Sequence, residues 1–273
     1  MNTEELKKIA AQMRRDIVTT VYRANSGHPG GSLSAADILT ALYFYKMKID
    51  PQNPKWEDRD RFILSKGHAS PAYYSALARR GYFPVERLDD FRSVRSYLEG
   101  APSTKLEGVD MSAGPLGQGM SVAVGMALAA RLSKKDYKVY CMIGDGESQE
   151  GQLWEALMAG AKYQLGNLVG ILDNNKVQMC GRNDDIMPLG DIAAKFEAFG
   201  WKVIKINGHD MDAIVAALDS IENCPVGQPT MIIADTIKGK GVSYMEDTYK
   251  WHGAVPNKEQ YEQAMKELGG DEK

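Results

Sequence analysis

The sequence predicts an α/β fold, a single doubly wound parallel sheet flanked by helices and formed by residues 1–273 as one domain. Three observations carry that expectation. Short apolar runs alternate along the chain with longer stretches whose apolar residues recur at helical spacing. Residues 138–178 read strand, turn, helix, strand, which is a βαβ unit. No internal repeat, low-complexity segment or linker divides the chain, and its 44% hydrophobic content suffices for a substantial core.

Taken in order, residues Thr3 to Arg23 place Leu6, Ile9, Met13, Ile17 and Val21 on one helical stripe. Ala24 to Gly31 contains four Gly or Pro residues and reads as an irregular loop. Ser34 then reads as the N-cap of a helix running through Tyr45, with Asp37 at its N3 position. Asp50 to Pro54 is a turn-rich connector. A short strand, Arg61 to Ser65, delivers Lys66-Gly67-His68 to a strand end, and a helix from Ser70 to Arg80 follows, with Gly81 suited to stop it. Glu86 to Ser93 is read as helix and Tyr97 to Val109 as an ordered loop. A glycine-rich loop, Met111 to Gly119, leads into a small-residue helix from Met120 to Leu132.

Val139 to Ile143 is a buried strand that stops at Gly144-Asp145-Gly146. Gly151 to Leu165 is an amphipathic helix with Leu153, Ala156, Leu157 and Gly160 on one face. The next strand, Leu168 to Leu172, ends in Asp173-Asn174-Asn175. Beyond it lie a helix from Pro188 to Phe199, a strand from Lys202 to Ile206 and a helix from Asp210 to Ile221. A buried strand follows from Thr230 to Thr236, and the last helix runs from Asn257 to Leu268. Trp251-His252-Gly253 falls in a loop.

Composition narrows the function. A net charge of -3 with scattered Lys and Arg argues against a nucleic-acid or anionic-membrane surface. Cys141, Cys180 and Cys224 show no metal-ligand spacing and suit reduced thiols in a cytoplasmic protein. The N-terminus lacks the apolar segment of a signal peptide, and no apolar run approaches the length of a membrane span.

Chemistry is expected where parallel strands end, because ligands bind at the carboxyl edge of such sheets. Asp145 and Asn175, thirty positions apart, close two successive strands and can converge. They supply oxygen ligands of the kind magnesium takes, with phosphate oxygens and water completing its shell. His28, Lys66 with His68, and Lys238 with Lys240 sit on glycine-bearing loops that can approach phosphate. The expectation is a magnesium–diphosphate site. A dinucleotide fingerprint fails, since Gly144-Asp145-Gly146 is followed by Glu147, Ser148 and Gln149, and there is no Walker loop. Singly, Gly-Asp-Gly and Asn174-Asn175 are ordinary turns, and their joint spacing carries the metal reading. His209 is read as an ordinary loop residue, and the fourteen methionines as core filling.

These motifs resemble transketolase, a thiamine-diphosphate enzyme, in its N-terminal part and especially in versions made as two polypeptides. The resemblance runs from Ser26-Gly27-His28-Pro29-Gly30 to Trp251-His252-Gly253. It includes Lys66-Gly67-His68-Ala69, Gly114-Pro115-Leu116-Gly117-Gln118-Gly119 and the signature from Gly144 to Asn175. It implies that Asp145, Asn175 and the Val177 carbonyl hold magnesium. Gly146, His68, Lys238 and His252 would lie against the cofactor, and the backbone of Gly114, Pro115 and Leu116 against its aminopyrimidine. His28, His68 and His252 would face the ketose donor and help move protons, a task suited to the ordinary histidine pKa. Glu150 would join a proton network between paired active sites. The activity implied is transfer of a two-carbon ketol unit from a ketose to an aldose.

The sequence departs from the family twice. Where the family has Gly-His-Pro, this chain has Gly100-Ala101-Pro102, which removes one imidazole from the donor site. The pyrimidine-binding domain, with its activating glutamate and substrate-phosphate groups, is not matched within these 273 residues. A separate C-terminal subunit is therefore expected, in an α₂β₂ assembly. Two alternatives stay open at this point: the α subunit of a thiamine-dependent 2-oxo-acid dehydrogenase, and a non-catalytic, cofactor-binding regulatory subunit.

Overall fold

A computed structural model describes residues 1–223 and 227–270. Cys224 lies outside the described residues. In chain order the elements are α1 (Thr3–Arg23), α2 (Pro29–Ala41), β1 (Arg61–Leu64), α3 (Ser70–Arg80), α4 (Gln118–Leu132), β2 (Val139–Gly144), α5 (Gly151–Lys162), β3 (Leu168–Asn174), α6 (Asn183–Ile186), α7 (Ile192–Ala198), β4 (Lys202–Asn207), α8 (Met211–Ser220), β5 (Thr230–Asp235) and α9 (Lys258–Glu267). Among the described residues, five strands form one sheet in the order β1-β2-β3-β5-β4, and every pairing is parallel.

Strand alternation sorts the core into two layers. Phe62, Leu64, Tyr140, Met142, Val169, Ile171, Ile232 and Ala234 face the layer of α1, α2, α3 and α8. Ile63, Val139, Cys141, Ile143, Leu168, Leu172, Met231 and Ile233 face that of α4, α5 and α7. With both faces covered, strands read as continuous apolar runs without polar alternation. The predicted doubly wound sheet is the sheet observed. Edge strand β4 is only partly buried and keeps Lys205 exposed, which discourages pairing with another chain.

Several boundaries differ from the sequence reading. Helix α2 starts at Pro29, five residues before Ser34. Proline at a helix's first position brings a pre-set φ and no unpaired N–H, so the glycines beyond it are helical and not loop. Gly30 is needed there, because a Cβ would stand 2.8 Å from the Trp251 carbonyl oxygen. Ser34 is thus interior, and its hydroxyl donates to Asp173 at 2.7 Å. Asp37 pairs with Arg14 instead of supporting a cap. A π-helical turn at Leu42–Lys46 ends this segment. Residues Val85–Asp90 form a 3₁₀ turn where helix was expected. Helix α7 starts after Gly190, whose φ of 60° breaks the predicted stretch from Pro188, and Asp191 caps it by accepting from the Ala194 amide at 3.0 Å. Segment 97–109 is a loop as expected, and is held by Tyr73 and Tyr74 hydroxyls donating to the carbonyls of Gly108 and Glu99, both at 2.9 Å.

Candidate active site

Strand register explains the convergence. Gly144 pairs with Asp173 and Asn174 with Asp235, so the next residues of β2, β3 and β5 leave the sheet side by side. The end of β1 adds Lys66 and His68, the start of α2 adds His28, and the loop before α9 adds His252. A cavity of about 320 Å³ opens here, lined by Asp145, Asn175, Val177, Lys238, His68 and His252 among others. Gly146, Leu116 and Glu150 also line it. Gly114 and Pro115 are exposed just outside, and Glu150 is exposed at the rim. Lys240 turns away to pair with Glu246 at 3.3 Å.

Asp145 is buried, and its carboxylate accepts from the Gly146 amide at 2.7 Å and from the Lys176 amide. Burial first, and the Asp173 charge second, push its pKa up to about 6. Such a group gains by taking a cation. Asn175 Oδ1 accepts from the Val177 amide at 3.1 Å. The Val177 carbonyl accepts from the Lys238 ammonium at 2.7 Å. Carboxylate, amide oxygen and backbone carbonyl form an all-oxygen set, the chemistry of a hard divalent cation. Among the described residues no three His, Cys, Asp or Glu side chains group to hold a metal by themselves. A cation bound here must complete its shell from a ligand and water, as magnesium habitually does. The residues fit a magnesium–diphosphate pair.

Two buried acids that sequence reading passed over organise the site. Asp173 is fully buried and is met by the Lys66 ammonium, the Thr236 and Ser34 hydroxyls, and Asn175 Nδ2 at 3.2 Å. Burial raises its pKa, but the Lys66 charge and these hydrogen bonds prevail and hold it below the usual carboxylate range. Glu147 accepts from the Ser65 hydroxyl and from the amides of Gly117 at 2.8 Å and Gly144 at 2.9 Å. It therefore ties the end of β1 and the Gly114–Gly117 loop to the end of β2. The signal for Asp173 was an acid directly after an apolar run, where only a paired charge is tolerated; Glu147, three residues beyond its run's end at Gly144, carried no such signal.

His209 is also more than a loop residue. Its Nε2 accepts from the Ile237 amide at 2.8 Å, so its Nδ1 carries the proton and donates to Asp37 at 2.8 Å. That link fastens the loop carrying Lys238 to α2.

The three site histidines cluster. Ring centroids lie 5.5 Å apart for His28–His68, 5.4 Å for His28–His252 and 4.9 Å for His68–His252. Burial is the largest cause lowering the pKa of each. Arg92 and Lys238 add to it at His28, and Lys66 at His68. His252, burdened further by Lys238, falls to about 3. All three pKa values thus lie below the ordinary histidine value from which the sequence reading started. The imidazoles are neutral at pH 7, and each offers one donor and one acceptor. Ala101 presents a methyl group, and its carbonyl accepts from the Tyr74 hydroxyl at 3.1 Å.

Comparison with known proteins identifies the architecture. Residues 6–273 match the family described as transketolase, thiamine diphosphate binding domain. The chain belongs to this family. It is 44% identical over 268 residues to one subunit of the apulose-4-phosphate transketolase of Phocaeicola vulgatus, spanning 98% of this chain and 95% of that protein. A 6-deoxy-6-sulfo-D-fructose transketolase subunit of a Clostridium species is 43% identical, spanning 97% of this chain and 96% of that one. Human transketolase is 39% identical, and there the match spans 97% of this chain but 42% of the relative. The crystal structure of Campylobacter jejuni transketolase superposes with a TM-score of 0.93 at 37% identity, covering 99% of this chain and 44% of that one. Membership in the transketolase family, whose members are transferases, decides against the 2-oxo-acid dehydrogenase reading. Among the described residues, no helix is long and apolar enough to cross a membrane.

Proposed function

We propose that this chain is the N-terminal subunit of a two-polypeptide, cytoplasmic transketolase. In this reading residues 1–273 form one diphosphate-binding domain, and a separate C-terminal subunit supplies the activating glutamate and the substrate-phosphate site in an α₂β₂ assembly. The observation that carries the reading is the convergence of Asp145, Asn175 and Val177 on one cavity with Lys238, His68 and His252, with the His28 ring packed against both imidazoles. Near-complete coverage of relatives that are themselves named as subunits supports the division into two chains.

Asp145, Asn175 and Val177 would hold Mg²⁺ against the diphosphate, and Lys238, His68, His252 and Gly146 would contact the cofactor. When bound, thiamine diphosphate supplies the nucleophilic carbon and the electron sink for carbon–carbon cleavage. The chain's own part is to bind, orient and move protons. Lys238 is poised for an anion: burial and the Lys66 charge lower its pKa to about 8, and its ammonium already lies within the cavity. His28, His68 and His252 would hydrogen-bond hydroxyls of a ketose donor, and Glu150 at the rim would meet the second active site. The backbone from Gly114 to Leu116 would flank the aminopyrimidine. The donor is a ketose or ketose phosphate, and with Gly100-Ala101-Pro102 in place of the family's Gly-His-Pro one imidazole hydrogen bond to it would be missing. The named substrates of the relatives, apulose 4-phosphate and 6-deoxy-6-sulfo-D-fructose, are the first donors to assay.

The test is ketol transfer with the purified chain, thiamine diphosphate and magnesium, with and without the co-purifying partner chain. Transfer that appears only with the partner is expected. Turnover by the single chain would overturn the split, and a cofactor-loaded complex inert toward every ketose would favour a regulatory subunit.

A further inference from the structure

Arg92 takes part in none of the roles above, yet its side chain is held with care. Its backbone adopts a left-handed φ of 59°, unusual for a residue with a side chain, and its amide donates to the Leu98 carbonyl at 2.8 Å. Such conformations persist where the surroundings over-determine them. Here the guanidinium lies over the Phe91 ring at 5.4 Å and donates to Ser26 Oγ at 2.6 Å. Its Nη2 comes to 3.5 Å from His28 Nδ1, at the outer edge of hydrogen bonding. The opposite wall is Gly100, where a Cβ would stand 2.8 Å from the same nitrogen. That wall is pinned in turn, since the Ser70 hydroxyl donates to the Gly100 carbonyl at 2.9 Å. The guanidinium is thus clamped between the loop bearing His28 and the segment bearing Ala101.

A guanidinium has hydrogens to give and no lone pair to offer. The imidazole nitrogen facing it must therefore be the bare one. We propose that Arg92 is a positioning residue of this site: by occupying the Nδ1 side of His28 it fixes that imidazole as the Nε2–H tautomer, with the donor directed to the substrate side. Nε2 lies on the side of Gly253, where a Cβ would be 3.5 Å away, and both other imidazoles stand next to this ring. His252 is arranged alike, with the Lys238 ammonium 3.0 Å from its Nδ1. Two of the three imidazoles thus face a cation at Nδ1 and carry their N–H at Nε2, a pair of fixed donors suited to lone-pair-bearing sugar oxygens. The significance of the pair for a ketose rests on the proposed function, whereas the tautomer does not.

The charged or titratable groups facing His28 are Arg92, His68, His252 and Lys238. With only four histidines in the sequence, ¹⁵N-histidine labelling of the full chain and long-range ¹H–¹⁵N correlation read each tautomer directly. Wild type should show His28 as Nε2–H, with any imidazolium forming only below the ordinary histidine range. Arg92→Glu places an acceptor at Nδ1 and should move the proton there or raise the pH at which the imidazolium forms. Arg92→Lys should keep the wild-type pattern. Because Arg92 is exposed, these variants are expected to fold. Gly100→Ala provides a second route, displacing the guanidinium without altering its charge. A wild-type His28 protonated on Nδ1, or an Arg92→Glu spectrum and titration identical to wild type, overturns the proposal. The readout requires no turnover, so it stands or falls separately from the transfer assay.

Discussion

Asp145 is the side chain on which cofactor capture turns in this reading. Its carboxylate is buried, and the two amides it accepts from do not cancel the cost of its charge, which a divalent cation would repay. Asp145→Ala is expected to abolish magnesium-dependent binding of thiamine diphosphate. Calorimetry showing unchanged affinity in that variant would remove the assignment. Asp37 makes a separate point about pH. Burial raises its pKa, but His209 and Arg14 outweigh burial and leave it below its ordinary value of 3.8. A depressed folded-state pKa means stability that is fully present above the unfolded value and lost as pH falls through the folded one. Melting temperatures of wild type should drop as pH falls below about 4. Asp37→Asn should lower stability at neutral pH and flatten that acid limb. A parallel pH profile for the two proteins would show that the carboxylate is not the source.

At the scale of elements, what the sequence made legible followed from what periodicity encodes. The five strands were placed to within a residue or two because apolar runs flanked by turn residues report burial on both faces, as Val139–Gly144 and Leu168–Asn174 illustrate. Asp145, Asn175 and Lys238, which the structure brings to one cavity, stand out in the sequence because they lie two or three residues past such runs. The start of α2 was misplaced because two glycines and a proline signal a loop locally, whereas packing against Trp251 and Lys238 decides otherwise. The Asp173 hub was hidden because its partners, Lys66, Ser34 and Thr236, come from three distant segments and meet only in the folded sheet. That hub holds β1, β3, β5 and α2 in one arrangement. Lys66→Met would strand a buried carboxylate and is expected to cost about 3–5 kcal/mol. The double change with Asp173→Asn should cost less than the single one, since neither charge then lies buried alone. Denaturant unfolding of the three variants measures this, and a double mutant less stable than Lys66→Met would refute the coupling.

For the whole molecule, the shape of the cavity bears on the division of labour. Its floor is buried and hydrogen-bonded, built from strand ends and the Asp173 and Glu147 networks, whereas Leu116 and Glu150 line an exposed rim beside Gly114 and Pro115. In the proposed assembly the floor grips the diphosphate and the rim meets a second chain around the thiamine rings. Binding contacts shared between two subunits link cofactor affinity to assembly. Thiamine diphosphate with magnesium should bind the isolated chain at least about 100-fold more weakly than the complex, a difference of about 2.7 kcal/mol. By the same linkage, the cofactor must tighten the association of the subunits by the same factor. Calorimetry on the chain, the partner and the complex measures both legs of the cycle. Hydrogen exchange should show protection gained at Leu116 and Glu150 on assembly, with β2 and β3 unchanged. Equal cofactor affinity for chain and complex would mean that this chain alone makes every contact that matters, and the shared active site would have to be given up.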